Sequence, residues 1–264
     1  MNIIVCIKQI LDPEIPARDF RVDSAKCQAE RGGANLVTNI FCENALETAL
    51  QVREAHGGKI TAVTCGGAEA EEVLRKALAL RADDAVLLES PVENPDPSFV
   101  ARTLAAGIRK LAPYDVVLVG REAGDWGAGQ TGGLLAEELN LPCIAFAESF
   151  APATAGQVQV KRQTDNGWEQ FESSTPLVIT ITNHDKNVPR IPKTRDVMQS
   201  YRKPLTKWPL AELGIDPATS GSYSRVVELF VPSKETQCEF ISGDSLEAKI
   251  DAFADRVTAV MRSI

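Results

Sequence analysis

The chain has 264 residues, of which 44% are hydrophobic and 24% charged, and its formal net charge is −8. These proportions are typical of one large globular domain, or of a core domain with an extension. The acidic balance argues against nucleic acid or an anionic membrane surface as a partner. No apolar run approaches the roughly 18 residues of a membrane-spanning helix, so membrane insertion is not expected.

The chain starts directly with a strand-like segment and has no basic leader, which predicts a cytoplasmic protein. None of the six cysteines forms a CxxC pair. Cys6, Cys65 and Cys143 lie in apolar runs, which predicts buried, reduced thiols. Neither histidine has a metal-ligand partner three or four positions away, so we expect no metal site.

Short apolar runs alternate with helical patterns through the first half of the chain. The runs predict strands at Ile3–Ile7, Ile60–Cys65, Ala85–Leu88, Val116–Val119 and Pro142–Phe146. Apolar residues spaced by three and four predict helices at Glu43–His56, Glu69–Leu80, Ser98–Leu111 and Gln130–Leu139. This alternation predicts an α/β fold with an open parallel sheet and helices on both faces, for which we expect the strand order 3-2-1-4-5.

Two segments interrupt or extend this pattern. The connection from Ile10 to Cys42 is too long for a structureless loop, so we expect it to be functional or to carry a small hairpin. Residues 157–173 alternate around an Asp-Asn-Gly turn, which indicates a β-hairpin. The apolar run Pro176–Thr182 is expected to return to the main sheet, which gives a core over residues 1–182.

Residues 183–264 are predicted to form an arm. The segment is irregular and rich in proline to about Pro217, and a strand-like run follows over 220–233. Asp244–Ile264 is predicted to be an amphipathic helix with a heptad-like stripe of Leu246, Ile250, Phe253, Val257, Val260 and Ile264. Such an arm buries too little apolar surface to order itself, so we expect it to pack on a second chain, or alternatively on its own core.

The predicted topology places two unusual loops together. Open parallel sheets bind ligands at the carboxyl ends of the strands where the order reverses. In the order 3-2-1-4-5, the loops after Ile7 and Val119 flank that crevice. One is the long excursion, and the other is the glycine-rich turn Gly120–Gly132.

The glycine-rich turn has the composition of an anion site. Glycines at 124, 127 and 129 allow backbone N–H groups to approach an anion, and the helix starting near Gln130 adds its dipole. No Lys-Ser/Thr pair follows, so phosphoryl transfer is not expected. Asp125 either caps the turn or accepts from a ribose hydroxyl, and Trp126 covers a base or packs. A tight structural turn is the alternative to a binding site.

Five motifs together resemble the β (small) subunit of electron transfer flavoprotein, in order and over nearly the whole chain. They are Val5–Asp12 (VCIKQILD), Asn39–Ala45 (NIFCENA), Ala62–Gly67 (AVTCGG), Gly120–Asp125 with Gln130–Gly132, and Val188–Pro192 (VPRIP). The resemblance implies an adenine-nucleotide-hydrolase-like fold without hydrolase chemistry. It also implies an α subunit that holds FAD and a β pocket that holds AMP, or a second FAD in the electron-bifurcating branch.

The resemblance implies a nucleotide pocket lined by Cys6, Asn39, Ile40, Phe41, Cys42, Cys65, Asp125, Trp126, Gly127, Ala128, Gly129, Gln130, Thr131 and Gly132. Several of these positions depart from the family pattern. Gly127 replaces a usual acid, and Ile40 replaces a usual proline. Trp126 and Ala128 stand where the bifurcating form has Gly and Thr, which favours AMP over a second FAD.

The basic segment Pro189–Pro204 matches the family's recognition loop, which docks transiently on a flavin-dependent dehydrogenase. The residues implied in docking are Arg190, Pro192, Lys193, Thr194, Arg195, Val197 and Met198. Thr194 replaces a leucine found in many members, which favours a different dehydrogenase partner. A solvated basic loop is the alternative.

The implied function is that of an electron-carrier subunit with no catalytic residues of its own. A stand-alone nucleotide-binding regulatory module is the alternative, and it would need neither flavin nor the arm. An ATP-cleaving ligase of the same superfold would need a Ser-Gly-Gly-type loop after the first strand. Lys8–Pro13 does not supply one.

Overall fold

The computed structural model describes residues 1–92, 94–154, 156–218, 223–232 and 238–263. Its strands are β1 (Asn2–Cys6), β2 (Gln9–Leu11), β3 (Val22–Asp23), β4 (Gln28–Ala29), β5 (Leu36–Thr38), β6 (Lys59–Gly66), β7 (Asp84–Glu89), β8 (Val116–Gly120), β9 (Cys143–Pro152), β10 (Gln157–Thr164), β11 (Gly167–Ser174), β12 (Leu177–Ile181) and β13 (Thr206–Pro209). Its α-helices are α1 (Ile40–His56), α2 (Glu71–Ala79), α3 (Pro97–Lys110), α4 (Thr131–Leu139), α5 (Thr194–Ser200) and α6 (Leu246–Arg262).

The chain divides into two compact units, Met1–Leu229 and Phe230–Ile264. The first unit contains the strands and helices α1 to α5, and the second contains α6. Among the described helices, none combines the length and the apolar character needed to cross a bilayer.

The described strands form one main sheet with the order β11-β10-β9-β12-β8-β1-β6-β7-β13. Neighbours are parallel from β9 to β13, and the hairpin β10–β11 adds antiparallel strands at one edge. The predicted order 3-2-1-4 is confirmed as β7-β6-β1-β8. However, β12 lies next to β8, and β9, predicted as the fifth strand, lies one place further out. All five residues of β12 are buried, whereas β9 is partly exposed, so the more apolar strand takes the central place.

Helices cover both faces of the sheet, as predicted. Buried side chains of α1 and α2 pack against one face, together with Ile3 and Val5 of β1. Buried side chains of α3 and α4 pack against the other face, together with Ile4 and Cys6. The alternation of β1 between two cores is the pattern of a strand buried on both sides.

The long connection after β1 contains two short antiparallel pairs, β2 with β5 and β3 with β4. This confirms the predicted hairpin character of the excursion. The β2–β5 pair aligns Gln9 with Thr38, and it therefore brings the chain back beside β1 just before α1 begins.

The structure differs from the sequence-based expectation in the C-terminal third. The segment predicted as irregular contains α5 and β13, and β13 extends the sheet by pairing with β7. The guanidinium of Arg75 in α2 holds the end of α5 by donating to the carbonyls of Ser200 and Lys203, each at 2.8 Å. The strand-like run predicted over 220–233 forms no strand in its described part, 223–232. Residues 220–222 and Ser233 lie outside the described residues, as does Ile264.

Candidate functional site

A crevice lies at the carboxyl edge of the sheet, where β1 and β8 run side by side. Cys6 pairs with Val119, so the loops after these strands begin at the same level. A Cβ on Gly120 would lie 2.9 Å from the backbone nitrogen of Cys42, which shows how closely the start of α1 approaches the end of β8. A Cβ on Gly132, at the start of α4, would lie 2.3 Å from Cγ2 of Thr180, which pairs with Val119 at the end of β8. Both helices therefore begin beside the crevice.

Asn39 joins the segments around this crevice. Its side chain is only 1% exposed, its Nδ2 donates to the carbonyl of Glu122 at 2.8 Å, and its Oδ1 accepts from the amide of Gly124 at 3.1 Å. Its own amide donates to the carbonyl of Lys8 at 2.9 Å. Asn39 was predicted to line the pocket, and in the structure its amide group holds the glycine-rich turn against α1.

The glycine-rich turn leaves backbone donors at the surface. Gly127 and Gly129 adopt φ values of 59° and 63°, in the left-handed region that glycine reaches without strain. The amide of Leu134 makes the first helical bond, to Gln130 at 3.1 Å. The amides before it in the first turn of α4 have no helical acceptor, and the helix dipole favours a negative charge beside them.

An ion pair crosses the crevice. The Nζ of Lys8, just after β1, lies 2.8 and 2.7 Å from the two carboxylate oxygens of Asp125. Asp125 also accepts from the amide of Trp126 at 3.0 Å. Trp126 itself is 45% exposed.

A second charged pair lies on the α1 side. The guanidinium of Arg121 donates to Glu122 at 2.7 and 3.0 Å and stacks over the ring of Phe41, 4.6 Å from its centroid. Lys8, Arg121 and Glu122 were missing from the residues predicted for the site. Their position in the sequence identifies them, because they closely follow β1 and β8, the two strands between which the strand order reverses.

The thiols near the crevice are poor nucleophiles. Burial raises the pKa of the Cys6 and Cys42 thiols, and it raises the pKa of Cys65 to about 12. These groups stay neutral at physiological pH and behave as small apolar side chains. Of the three thiols predicted to be buried, Cys6 is buried, Cys65 is half-buried, and the prediction was wrong for Cys143, which is exposed at the start of β9.

These residues offer donors and a cation to an anionic ligand. The amides of Gly124, Trp126 and Gly127 have acceptors within the turn or on Asn39, whereas those of residues 128–130 have none within the described chain. Lys8 supplies a cation to the same turn. Thr64, near the carboxyl end of β6, is 1% exposed, and its Oγ1 has no hydrogen-bond partner within the described chain. A buried hydroxyl of this kind is expected to find a partner in a bound polar group or a water molecule.

The predicted docking segment is anchored to the core by Arg190. Its guanidinium lies 2.7 Å from the buried carboxylate of Glu47 and also binds Glu54 on the same helix. Beyond this anchor α5 begins at Thr194, and the side chain of Met198 is 66% exposed. Pro192 is half-buried, and Val197 is exposed.

Two of the predicted docking residues line a basic cleft. Lys193 and Arg195 border a volume of about 410 Å³ together with Arg81 and Lys203, and Asp196 is the acidic residue in the lining. The positive charge of this cleft contrasts with the net charge of −8 of the whole chain.

We expect Arg190→Gln to lower the free energy of unfolding by about 2 kcal/mol at neutral pH, because it leaves the Glu47 carboxylate buried without its main partner. Burial acts to raise the pKa of Glu47, but hydrogen bonds from Arg190 and Gln51 and the charge of Arg190 bring that pKa below its ordinary value. This stabilisation is therefore present above the ordinary carboxyl pKa and is lost as the pH falls through the lower folded value. The difference in the free energy of unfolding between Arg190→Gln and the parent protein should become smaller below about pH 4.

Urea denaturation at several pH values measures this difference. Arg195→Gln is the matched control, because Arg195 lies in the same segment and forms no ion pair within the described chain. We expect it to change stability by less than about 0.5 kcal/mol. Equal effects of the two variants would show that Arg190 is not an anchor.

The fold and the crevice define an α/β protein with an open, mainly parallel sheet and a glycine-rich turn at the strand reversal. The profile of the electron transfer flavoprotein domain matches residues 28–213. The chain belongs to the electron transfer flavoprotein family, and several of its relatives are named as the beta subunit.

Three relatives illustrate the similarity. The chain is 32% identical over 249 residues to the electron transfer flavoprotein subunit beta of Bacillus subtilis, which covers 94% of each chain. It is 33% identical over 253 residues to the subunit of the same name from Thermoanaerobacterium thermosaccharolyticum, covering 94% of this chain and 95% of that one. It is 31% identical over 251 residues to the caffeyl-CoA reductase-Etf complex subunit CarD of Acetobacterium woodii, covering 93% and 94%.

Proposed function

We propose that this chain is the β subunit of a heterodimeric electron carrier and that its crevice holds AMP. An α subunit holds FAD, which accepts electrons from a flavin-dependent dehydrogenase and passes them to a further acceptor. The observation that carries the AMP proposal is the exposed glycine-rich turn beside the start of α4, at the reversal of the strand order. The described residues of the crevice keep their thiols neutral, which fits a binding role.

The chain's own residues would bind and orient the nucleotide. The amides of the turn and of the first turn of α4 would donate to its phosphate. Asn39 positions the turn through Glu122 and Gly124. The end of β8 needs glycine at position 120, because a side chain there would collide with the backbone of α1.

A second FAD in the same crevice is the other candidate. Trp126 is half-exposed and Gly127 to Gly129 are exposed, so the turn does not close over the crevice and a larger group can extend towards solvent. If the crevice holds a second FAD, the dehydrogenase partner would take part in a reaction that uses two flavins.

Cofactor extraction from the chain co-expressed with its α subunit tests both candidates. One FAD and one AMP per heterodimer is the result expected for the proposed carrier. Two FAD per heterodimer would replace it with the two-flavin candidate. A purified heterodimer without any adenine compound in the β subunit would overturn the nucleotide-binding function.

We also propose which surfaces meet the two partners. The apolar stripe of α6 would pack on the α subunit, because its side chains are exposed in this chain. The basic cleft and the exposed end of α5 would meet an acidic surface of the dehydrogenase. Such charge complementarity speeds transient encounters and weakens with salt, as an electron carrier requires.

A further inference from the structure

The glycine-rich turn contains an acid where a phosphate is expected. Asp125 lies between Gly124 and Gly127, and its carboxylate would repel a phosphate bound to the amides of residues 128–130, which have no acceptor within the described chain. The turn can bind an anion only if this charge is neutralised. The structure shows the neutralising group, because both oxygens of Asp125 lie within 2.8 Å of the Nζ of Lys8.

Lys8 is held where it can act on both groups. Its carbonyl accepts from the amide of Asn39, and the side chain of Asn39 binds the glycine-rich turn. Its backbone is therefore coupled to the start of α1 and to the turn, while its ammonium is half-exposed. An ammonium has three donors, so one remains for a phosphate oxygen after Asp125 takes two.

The other cation of the crevice is held on the side of α1. Arg121 donates twice to Glu122 and once to the hydroxyl of Thr182, and its plane covers Phe41. Lys8 instead contacts both carboxylate oxygens of Asp125 in the glycine-rich turn. Among the described residues at the ends of β1 and β8, Lys8 is therefore the cation that is paired with Asp125.

We propose that Lys8 is the phosphate-binding cation of the crevice and that its pairing with Asp125 makes the turn selective for a nucleotide over a nucleoside. This inference rests on the proposed nucleotide-binding function. The ligand class it specifies is an adenosine carrying a 5′-phosphate, and adenosine itself would gain nothing from Lys8.

Titration calorimetry with AMP and with adenosine tests the proposal. The sample is the full chain, purified with its α subunit and freed of bound nucleotide. We expect Lys8→Met to weaken AMP binding roughly 10- to 100-fold, because a charge-assisted contact is lost and Asp125 is left unpaired. Adenosine binding should change less than about twofold. Adding Asp125→Asn to this variant should restore part of the lost AMP affinity, because the repulsion disappears.

Lys186→Met is the matched control, since it removes the same charge from a loop beside the far part of α1. We expect it to leave AMP affinity unchanged. The single variant Asp125→Asn should bind AMP at least as tightly as the parent. If Lys8→Met does not fold, the AMP and adenosine affinities of Asp125→Asn test the proposal instead. If Asp125→Asn weakened both ligands equally, Asp125 would be a ribose ligand and the proposal would be overturned.

Failure of the proposed nucleotide-binding function can be distinguished from failure of the proposed role of Lys8. A parent protein that binds neither AMP nor adenosine contradicts the proposed function. A parent that binds AMP, together with a folded Lys8→Met variant that binds it equally well, contradicts only the role of Lys8.

Discussion

Gly132→Ala is expected to impair both folding stability and nucleotide binding. A Cβ at this position would lie 2.3 Å from Cγ2 of Thr180 on β12, so the start of α4 would have to move away from the sheet. Thr180 cannot turn aside easily, because its Oγ1 accepts from the amide of Phe146 at 3.0 Å. Overpacking of this kind costs about 1–3 kcal/mol, and displacing the helix start would weaken an anion site built on its amides.

The neighbouring residue supplies the control. Gly133 lies in the same helical turn, and a Cβ there would meet no atom within 4 Å. Gly133→Ala should be neutral or stabilising by up to about 1 kcal/mol, because alanine favours the helix. Chemical denaturation and AMP titration measure both variants. Gly132→Ala combined with Thr180→Ser, which removes Cγ2 and keeps the hydroxyl, should recover most of the loss. Equal stability of Gly132→Ala and Gly133→Ala would refute the argument.

Phe253→Glu is expected to weaken association with the α subunit by about 100-fold or more. Phe253 lies in the centre of the α6 stripe and is 59% exposed in this chain. A large aromatic at the centre of an interface commonly contributes 2–4 kcal/mol, and a buried glutamate would add a desolvation cost. The dissociation constant of the purified heterodimer, followed by dilution or by biolayer interferometry, measures the effect.

Ala259→Glu is the matched control for the α6 stripe. It places the same side chain on the same helix, but on the face away from Phe253 and Val257. We expect less than about a threefold change in affinity. If the two variants weakened the heterodimer alike, the effect would come from helix charge, and the stripe would not be the contact with the α subunit.

The two sets of variants change different parts of the molecule. Gly132 lies in the first compact unit, where the proposed function assigns the turn to phosphate binding. Phe253 lies in the second unit, where the proposed function assigns the α6 stripe to contact with the α subunit. An electron carrier needs both, since it must retain its cofactors and still release the proteins with which it exchanges electrons.

Several features could be predicted from particular residues. The runs around Ile4, Val63, Val86 and Val117 are apolar because their strands are buried on both faces, so strand type and parallel order follow from composition and alternation. The Asp-Asn-Gly turn specifies the hairpin β10–β11. The glycine-rich turn after Val119 was also predicted to lie where the strand order of the sheet reverses.

Other features depend on contacts between distant residues. β13 has four residues and exists because Thr206 to Pro209 pair with β7, so no local periodicity reveals it. The anchoring of the docking segment depends on Arg190 reaching Glu47, which is 143 residues away in the chain. The exchange of β9 and β12 in the sheet order reflects which strand gains more by burial on both faces.

The amino-acid sequence by itself determined the main strands and helices up to β12, the parallel sheet and the family, because periodicity and composition are local properties. Only the tertiary structure decided how charges are distributed in the crevice. Lys8 meets Asp125 across 117 positions of the chain, and Asn39 meets the turn across 83 and 85. Such pairs form because parallel strands bring the ends of distant segments to one edge, and no pattern along the chain records which side chains then lie within hydrogen-bonding distance.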